Sequence, residues 1–304
     1  MHASPFSRRH GIKAAATAAL ALSTSVYAGS SAQAADPTGA ARPAGGRQLH
    51  VMSFNLRYAS DTTPNSWAER RPVMRELLRR EAPHLIGTQE GLYEQLRDIE
   101  ADLGPRYDAV GTGREGGSHG EFATMFYDTT RLDLLEFDHF WLSETPNVIA
   151  SKGWDAAITR MATWARFKDL RTGTEFYALN THFDHVGQKA REHSAELISE
   201  RLRALNAELP RVVLGDFNAA AHANPAYDTL LNGGTLVDTW ETAEKRSALY
   251  ATFHGYKPLT PDGARIDWIL TSPSVRTRHA AINTFSKNGQ FPSDHLPVQA
   301  VIEI

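Results

Sequence analysis

Helical and β-type runs alternate at both ends of this chain but not in its middle, and that order leaves few folds open. From Gln48 the β-type runs are Leu49 to Phe54, Leu85 to Gly87, Phe122 to Tyr127, Met161 to Phe167, Phe176 to Leu179, Val212 to Leu214, Ile266 to Leu270 and Val298 to Ile304. Between some of them lie helical patterns. Trp67 to Glu81 sets Val73, Leu77 and Leu78 on one face, and Gly187 to Glu208 does the same with Ala190, Leu197, Ile198, Leu202 and Leu205. Consecutive strands joined without helices pair antiparallel, while helical crossovers add parallel neighbours. A doubly wound parallel sheet is excluded, because the middle lacks its helices. The order predicts an α/β fold: a four-layer α/β sandwich of two mixed, mainly antiparallel β-sheets packed face to face and flanked by helices.

The first residues stand apart from this pattern. Arg8, Arg9 and Lys13 precede an Ala/Leu-rich run from Ala14 to Leu22, and Ala32-Gln33-Ala34 offers a small-x-small cleavage site. Residues 1–34 therefore read as a signal peptide, and Ser7-Arg8-Arg9 with Lys13 in register resembles the twin-arginine export signal, with Gly11 where Phe is usual. A secreted protein is expected, without stable membrane insertion, since the apolar run is too short to span a bilayer. Residues 35–47 read as a flexible linker rich in Gly, Ala and Pro, and 48–304 as one catalytic domain with no internal repeat.

Two compositional facts narrow the chemistry. There is no cysteine, so thiolate nucleophiles, disulfides and sulfur-ligated metals are all excluded. The chain holds 32 Lys and Arg against 35 Asp and Glu, a formal charge of −3, which becomes −6 once the three basic residues of the leader are removed. A broad basic surface for tracking polyanions is not expected.

Most of the β-type runs stop at polar residues rather than at turn glycines. Asn55 follows the first, Glu90 the second, Asn180 and His182 the fifth, Asp216 and Asn218 the sixth; Asp267 sits in the seventh, and Asp294-His295 precede the last. One such residue alone is usually a turn former or a solvated side chain. Together they supply what phosphate-ester hydrolysis needs. A hard cation such as Mg²⁺ or Mn²⁺ takes carboxylate and amide oxygens, a carboxylate can fix the tautomer of a histidine, and amides can donate to the charge that shifts in the transition state.

Six segments carry a family resemblance. Ser53-Phe54-Asn55, Thr88-Gln89-Glu90, NTHFDH from Asn180 to His185, GDFNA from Gly215 to Ala219, RIDWIL from Arg265 to Leu270 and SDHLPV from Ser293 to Val298 resemble, in this order, the signatures of the endonuclease/exonuclease/phosphatase superfamily, with its DNase I-like fold. The resemblance implies that Glu90, Asn55 and Asp294 hold the metal. It implies that Asp267 holds His295, which acts as general base or phosphate donor. Asp216, the competing candidate for base, and Asn218 would position water and phosphate, and His182 would hydrogen-bond a non-bridging oxygen. On the substrate side it adds Asn180, more as support for its loop than as a contact.

The middle of the chain, with GEFATMFYD, FWLSETP, KGWDAA and TRMATWARF, resembles a bacterial subgroup of metal-dependent hydrolases. Arg160, just before a strand, suits either a substrate phosphate or a surface salt bridge. Arg57 could add a phosphate contact or pair with Glu90, and Glu121, Trp154 and Asp155 could line the cleft. The expected function is a secreted, metal-dependent phosphoesterase acting on phosphate mono- or diesters as a monomer. An extracellular nuclease is the alternative, disfavoured by net charge. A sphingomyelinase-like enzyme comes third, because Thr271 to Pro292 is polar and basic rather than an apolar membrane-docking segment.

Overall fold

The computed structural model describes residues 46–304. The signal peptide and most of the linker lie outside the described residues, and among those described no helix is long and apolar enough to cross a membrane. In chain order the elements are β1 (Gln48–Asn55), α1 (Trp67–Glu81), β2 (Leu85–Gly91), α2 (Tyr93–Leu103), β3 (Tyr107–Val110), β4 (Phe122–Asp128), β5 (Leu132–Trp141), β6 (Met161–Asp169) and β7 (Glu175–His182). They continue with α3 (Gln188–Ala204), β8 (Arg211–Asp216), α4 (Pro225–Leu231), β9 (Val237–Asp238), α5 (Thr239–Thr242), β10 (Lys245–Arg246), β11 (Asp267–Thr271), β12 (Arg276–Ile282) and β13 (Val298–Glu303).

The strands form a seven-stranded sheet, ordered β10-β12-β13-β1-β2-β4-β3, and a six-stranded sheet, ordered β5-β6-β7-β8-β11-β9. The parallel pairs are β1 with β2, β7 with β8, and β10 with β12; the other neighbours run antiparallel. Both long parallel pairs are joined by helical crossovers, α1 and α3, because a parallel partner cannot be reached by a tight hairpin.

Three apolar clusters bind four layers together. One lies between the sheets, where Val51, Leu85 and Met125 meet Phe167, Ala178, Val212 and Ile269. A second packs α1 and α2 on the outer face of the seven-stranded sheet through Val73, Leu77, Leu78, Leu96 and Ile99. The third packs α3 and α4 on the other sheet through Ile198, Leu202, Tyr227 and Leu230. This is the four-layer sandwich that the strand order predicts. Helix α1 begins where a capping box sets it, Ser66 N–H donating to Glu69 Oε2 at 2.8 Å while Ser66 Oγ accepts from Glu69 N–H.

The sheets approach closely near one end. A Cβ on Gly87 would lie 2.8 Å from Asn180 Oδ1 and 2.9 Å from Leu214 Cβ, so only glycine fits that position in β2 without displacing the opposite sheet.

Candidate active site

Strand alternation aims four of the polar residues at one place. In β1 Leu49 and Val51 face the other sheet, so Asn55, on the same parity, does too. The same reasoning carries from Phe176 and Ala178 to His182 in β7, from Val212 and Leu214 to Asp216 in β8, and from Ile269 to Asp267 in β11. Pairing then aligns them along the sheet: His182 lies opposite Asp216 in the parallel β7/β8 pair, and Asp267 opposite Asp216 in the antiparallel β8/β11 pair. All four sit at the same end of the intersheet space.

Glu90 reaches that end by a different route. Its parity with Ile86 would turn it to the helix side. The register of β2 against β4 shifts between Thr88 and Gly91, and Glu90 has φ of 62°, which swings the side chain round. There Asn55 Nδ2 donates to Glu90 Oε1 at 3.0 Å and to Asp216 Oδ2 at 2.9 Å, and Tyr58 N–H donates to Glu90 Oε2 at 3.1 Å.

Asp216 is the hub. Its Oδ1 accepts from Asn218 N–H at 2.9 Å, and its Oδ2 stands 3.3 Å from His182 Nε2 and 3.7 Å from His295 Nε2. Asn218 adopts φ of 47°, a region that asparagine tolerates better than most residues. Its amide lies 3.0 Å from His182 Nε2 and donates to Phe183 O at 3.0 Å.

His295 comes from a loop rather than a strand. Ser293 Oγ donates to Asn55 O at 2.7 Å and accepts from His295 N–H at 3.2 Å, tying the loop to the end of β1. His295 Nδ1 then donates to Asp267 Oδ2 at 3.0 Å, which leaves Nε2 toward Asp216 and the cleft. The ring of Phe253, half exposed, lies 4.9 Å from the imidazole. Of the two roles open to Arg57 in the sequence, a phosphate contact or a pair with Glu90, the second is not formed. Arg57 pairs with Asp294 at 3.6 Å and stacks over the Tyr58 ring at 4.5 Å.

The electrostatics follow from crowding. Burial and then the neighbouring Asp267 carboxylate push Asp216 up to about 7. Burial alone would depress the His295 imidazole, but Asp267 and Asp216 outweigh it and raise it to about 10. His182 goes the other way: burial, then the positive charge of Arg160, hold it well below 6.5.

Two sets of donors suit a cation. Ligand atoms of Asp216, Asp267 and His295 lie within 4.8 Å of one another. Glu90 lies beside this group, joined to Asp216 through the Asn55 amide, which donates to both carboxylates. Asp267 Oδ1 is buried without a hydrogen-bond partner, and three carboxylates, Glu90, Asp216 and Asp267, converge on one end of the cleft. Oxygen donors in such excess fit a hard divalent ion, and no thiolate competes for a softer one. The Nδ1 hydrogen bond makes His295 and Asp267 a dyad beside the carboxylates of Asp216 and Glu90.

Other sequence expectations fall differently. Asn180 is fully buried and does not face the cleft: its amide donates to Thr88 O at 2.8 Å and Thr124 O at 3.0 Å, and its Oδ1 accepts from Gln89 at 2.7 Å, so it staples the two sheets together. Asp155 caps α3 instead, accepting from Ala190 N–H at 2.7 Å, and Trp154 stacks on His193 at 5.2 Å. Arg160 is no surface residue; it is 5% exposed and lines a cavity with Glu90, Arg114, Glu121, Phe122 and His182. Arg114 carries no signal in the sequence, since it sits in a glycine-rich loop. Arg70 carries none either, because it reads as one more charge on an amphipathic helix. Fully buried in α1, it donates to the carbonyls of Leu56, Arg57 and Tyr58 after β1 and to that of Pro292 before the His295 loop, with Asn65 O as a further acceptor.

Comparison with known proteins agrees with this fold. The model of the Endonuclease/Exonuclease/phosphatase family matches residues 52–295. A mannosyl-6-phosphatase of Bacteroides thetaiotaomicron is 37% identical, with a TM-score of 0.79, covering 84% of this chain and 99% of that one. A second family member from the same organism is also 37% identical, with a TM-score of 0.80 and coverage of 84% and 97%. The protein angel of Drosophila melanogaster is 24% identical over 275 residues, 79% of this chain and 73% of its own. With its fold, its cleft and these relatives in agreement, the chain belongs to the endonuclease/exonuclease/phosphatase family, a family of hydrolytic phosphoesterases.

Proposed function

We propose that this protein is an exported, Mg²⁺- or Mn²⁺-dependent phosphoesterase that hydrolyses small phosphate esters by in-line attack of water. The observation that carries the reading is the 3.0 Å bond between Asp267 and His295, facing Glu90 and Asn55 across a cleft whose centre is Asp216. Glu90 and Asn55, with Asp294 nearby, would hold the ion. When bound, the ion supplies positive charge that neutralises the phosphoryl and leaving oxygens.

The remaining work belongs to the chain. Asp216 Oδ2, surrounded by Asn55, His182 and His295 at 2.9, 3.3 and 3.7 Å, is the acceptor best placed to take a proton from the attacking water. Asp267 fixes His295 with its proton on Nδ1 and stabilises its charged form, so that Nε2 can donate to a phosphoryl oxygen. Neutral His182 and the Asn218 amide add donors without adding charge. Similarity to a mannosyl-6-phosphatase over nearly its full length supports sugar phosphates as the first substrates to try.

A panel of mannose 6-phosphate, a chromogenic phosphodiester, plasmid DNA, RNA and sphingomyelin, each with Mg²⁺, Mn²⁺ or chelator, tests this reading. Metal-dependent turnover of the sugar phosphate is expected to dominate; cleavage of DNA or RNA at a higher kcat/KM would overturn it in favour of a nuclease. For export, replacing Arg8 and Arg9 by Lys should trap the precursor inside the cell. Undiminished export of that variant would rule out the twin-arginine route.

A further inference from the structure

Five arginines are buried among the described residues: Arg70, Arg131, Arg160, Arg211 and Arg265. Four have conventional partners. Arg131 holds Asp169 at 2.7 and 2.9 Å, Arg265 holds Asp238 at 2.9 Å and Glu241 at 3.0 Å, and Arg70 and Arg211 donate to backbone carbonyls at 2.7 to 3.4 Å. Arg160 has no carboxylate or carbonyl within hydrogen-bond reach. Its nearest acids are Asp184 at 3.9 Å and Glu121 at 4.0 Å, its one side-chain hydrogen bond is with His185 Nδ1 at 3.3 Å, and its Nε has no hydrogen-bond partner. Leaving a buried guanidinium under-bonded is costly unless something else completes it.

The surroundings say what that is. Arg160 lies in a small cavity of about 10 Å³, lined by Glu90 and His182 on the side of the reacting centre and walled by Phe122, Ala123 and Met161. Arg114, with its side chain 16% exposed, lines the same cavity; it donates to Glu121 Oε2 at 2.8 Å, and its Nε is likewise without a hydrogen bond. Two guanidinium groups with N–H donors to spare thus close one end of the cleft beside the reacting centre.

Taking the phosphoesterase reading as given, we propose that Arg160 and Arg114 form a seat for the unesterified oxygens of a terminal phosphate, and that this seat selects phosphomonoesters over phosphodiesters. A monoester approaches two negative charges at neutral pH, with a second pKa of about 6, and offers an extra non-bridging oxygen that guanidinium groups bind well. A diester puts an ester chain where that oxygen would be. The chain would press on the apolar wall and leave the Arg160 donors unbonded. At about 10 Å³ the cavity admits a single oxygen-sized atom, far less than the roughly 300–1,000 Å³ of a site for a drug-sized ligand, which suits one non-bridging phosphate oxygen and leaves no room for an ester chain.

The test compares p-nitrophenyl phosphate with bis(p-nitrophenyl) phosphate on wild type, Arg160→Gln, Arg160→Lys and Arg114→Gln, all with Mg²⁺. The monoester-to-diester ratio of kcat/KM should fall about tenfold or more in Arg160→Gln, with partial rescue in Arg160→Lys. Inorganic phosphate should inhibit the variant about tenfold more weakly and should no longer raise its melting temperature as it does that of wild type. Arg114→Gln, at the more exposed of the two positions, should shift the ratio in the same direction and carries the test if Arg160→Gln is unstable. Equal losses on both esters, or unchanged phosphate inhibition in both variants, would overturn the proposal. A wild type that hydrolyses neither ester with metal would instead overturn the phosphoesterase reading beneath it.

Discussion

Asp267→Asn should change how stability depends on pH before it is ever assayed for catalysis. His295 has a folded pKa of about 10 against an ordinary 6.5, raised by Asp267 and Asp216 over the opposing effect of burial. A histidine with a raised folded pKa lends stability that is fully present below about 6.5 and is lost as pH climbs toward 10. Each pH unit inside that window removes about 1.4 kcal/mol. Between pH 7 and 9 the metal-free wild type should therefore lose about 2–3 kcal/mol, or roughly 5–10 °C in melting temperature for a domain of this size. Few other groups titrate there. His84, near 4, and His182, His254 and His279, all lowered mainly by burial, are neutral in both states above it, and Asp216, raised to about 7, has mostly finished losing its own contribution. In Asp267→Asn the leading support for the imidazolium is gone, so the slope should drop below half that of wild type. Thermal unfolding in excess chelator at pH 7, 8 and 9 measures both slopes. Equal slopes would refute the claim that Asp267 holds His295 in its charged form.

Two further substitutions probe what positions the site. Arg70→Met should destabilise by about 3–5 kcal/mol in denaturant unfolding, because it strips a buried charge from five carbonyls; Arg70→Lys should recover little, since one ammonium cannot match the guanidinium fork, and full recovery would contradict that. Gly87→Ala should cost about 1–3 kcal/mol by forcing Asn180 and Leu214 away from β2. A neutral Gly87→Ala would mean that the sheets yield more easily than their packing implies.

Much of this site is legible in the residue pattern alone. Strand parity sends Asn55, His182, Asp216 and Asp267 inward, because each follows or precedes apolar residues at even spacing that face the other sheet. Helix α1 spans the same residues as its apolar pattern, since the Ser66/Glu69 capping box at its start is a local signal, although the left-handed Ala82 at its end is not one that the residue type announces. What the pattern hides depends on tertiary context. Strand β5 carries Asp133, Glu136 and Asp138, as edge strands do to avoid mispairing, and these charges blur its alternation. Strand β12 is masked in the same way by Arg276, Arg278 and His279. The inward turn of Glu90 needs a bulge and a positive φ that nothing in Thr88-Gln89-Glu90 announces. Asn180 looks like its catalytic neighbours in sequence, yet it lies one step deeper along the same face, where it meets the opposite sheet rather than the cleft. Arg114 and Arg160 share a cavity only because two distant loops fold over one end of the cleft.

On the proposed reading, Glu90, Asp216 and the Asp267–His295 pair together make a metal-dependent phosphoesterase. The decisive measurement is release of phosphate from mannose 6-phosphate by the protein without residues 1–34, with Mg²⁺ and again after complete chelation, repeated with folded His295→Ala. Chelation should abolish turnover, restored Mg²⁺ should recover it, and His295→Ala should lose about 10²–10⁴-fold in kcat. Turnover that survives chelation, or a His295→Ala enzyme with near-normal kcat, would contradict it.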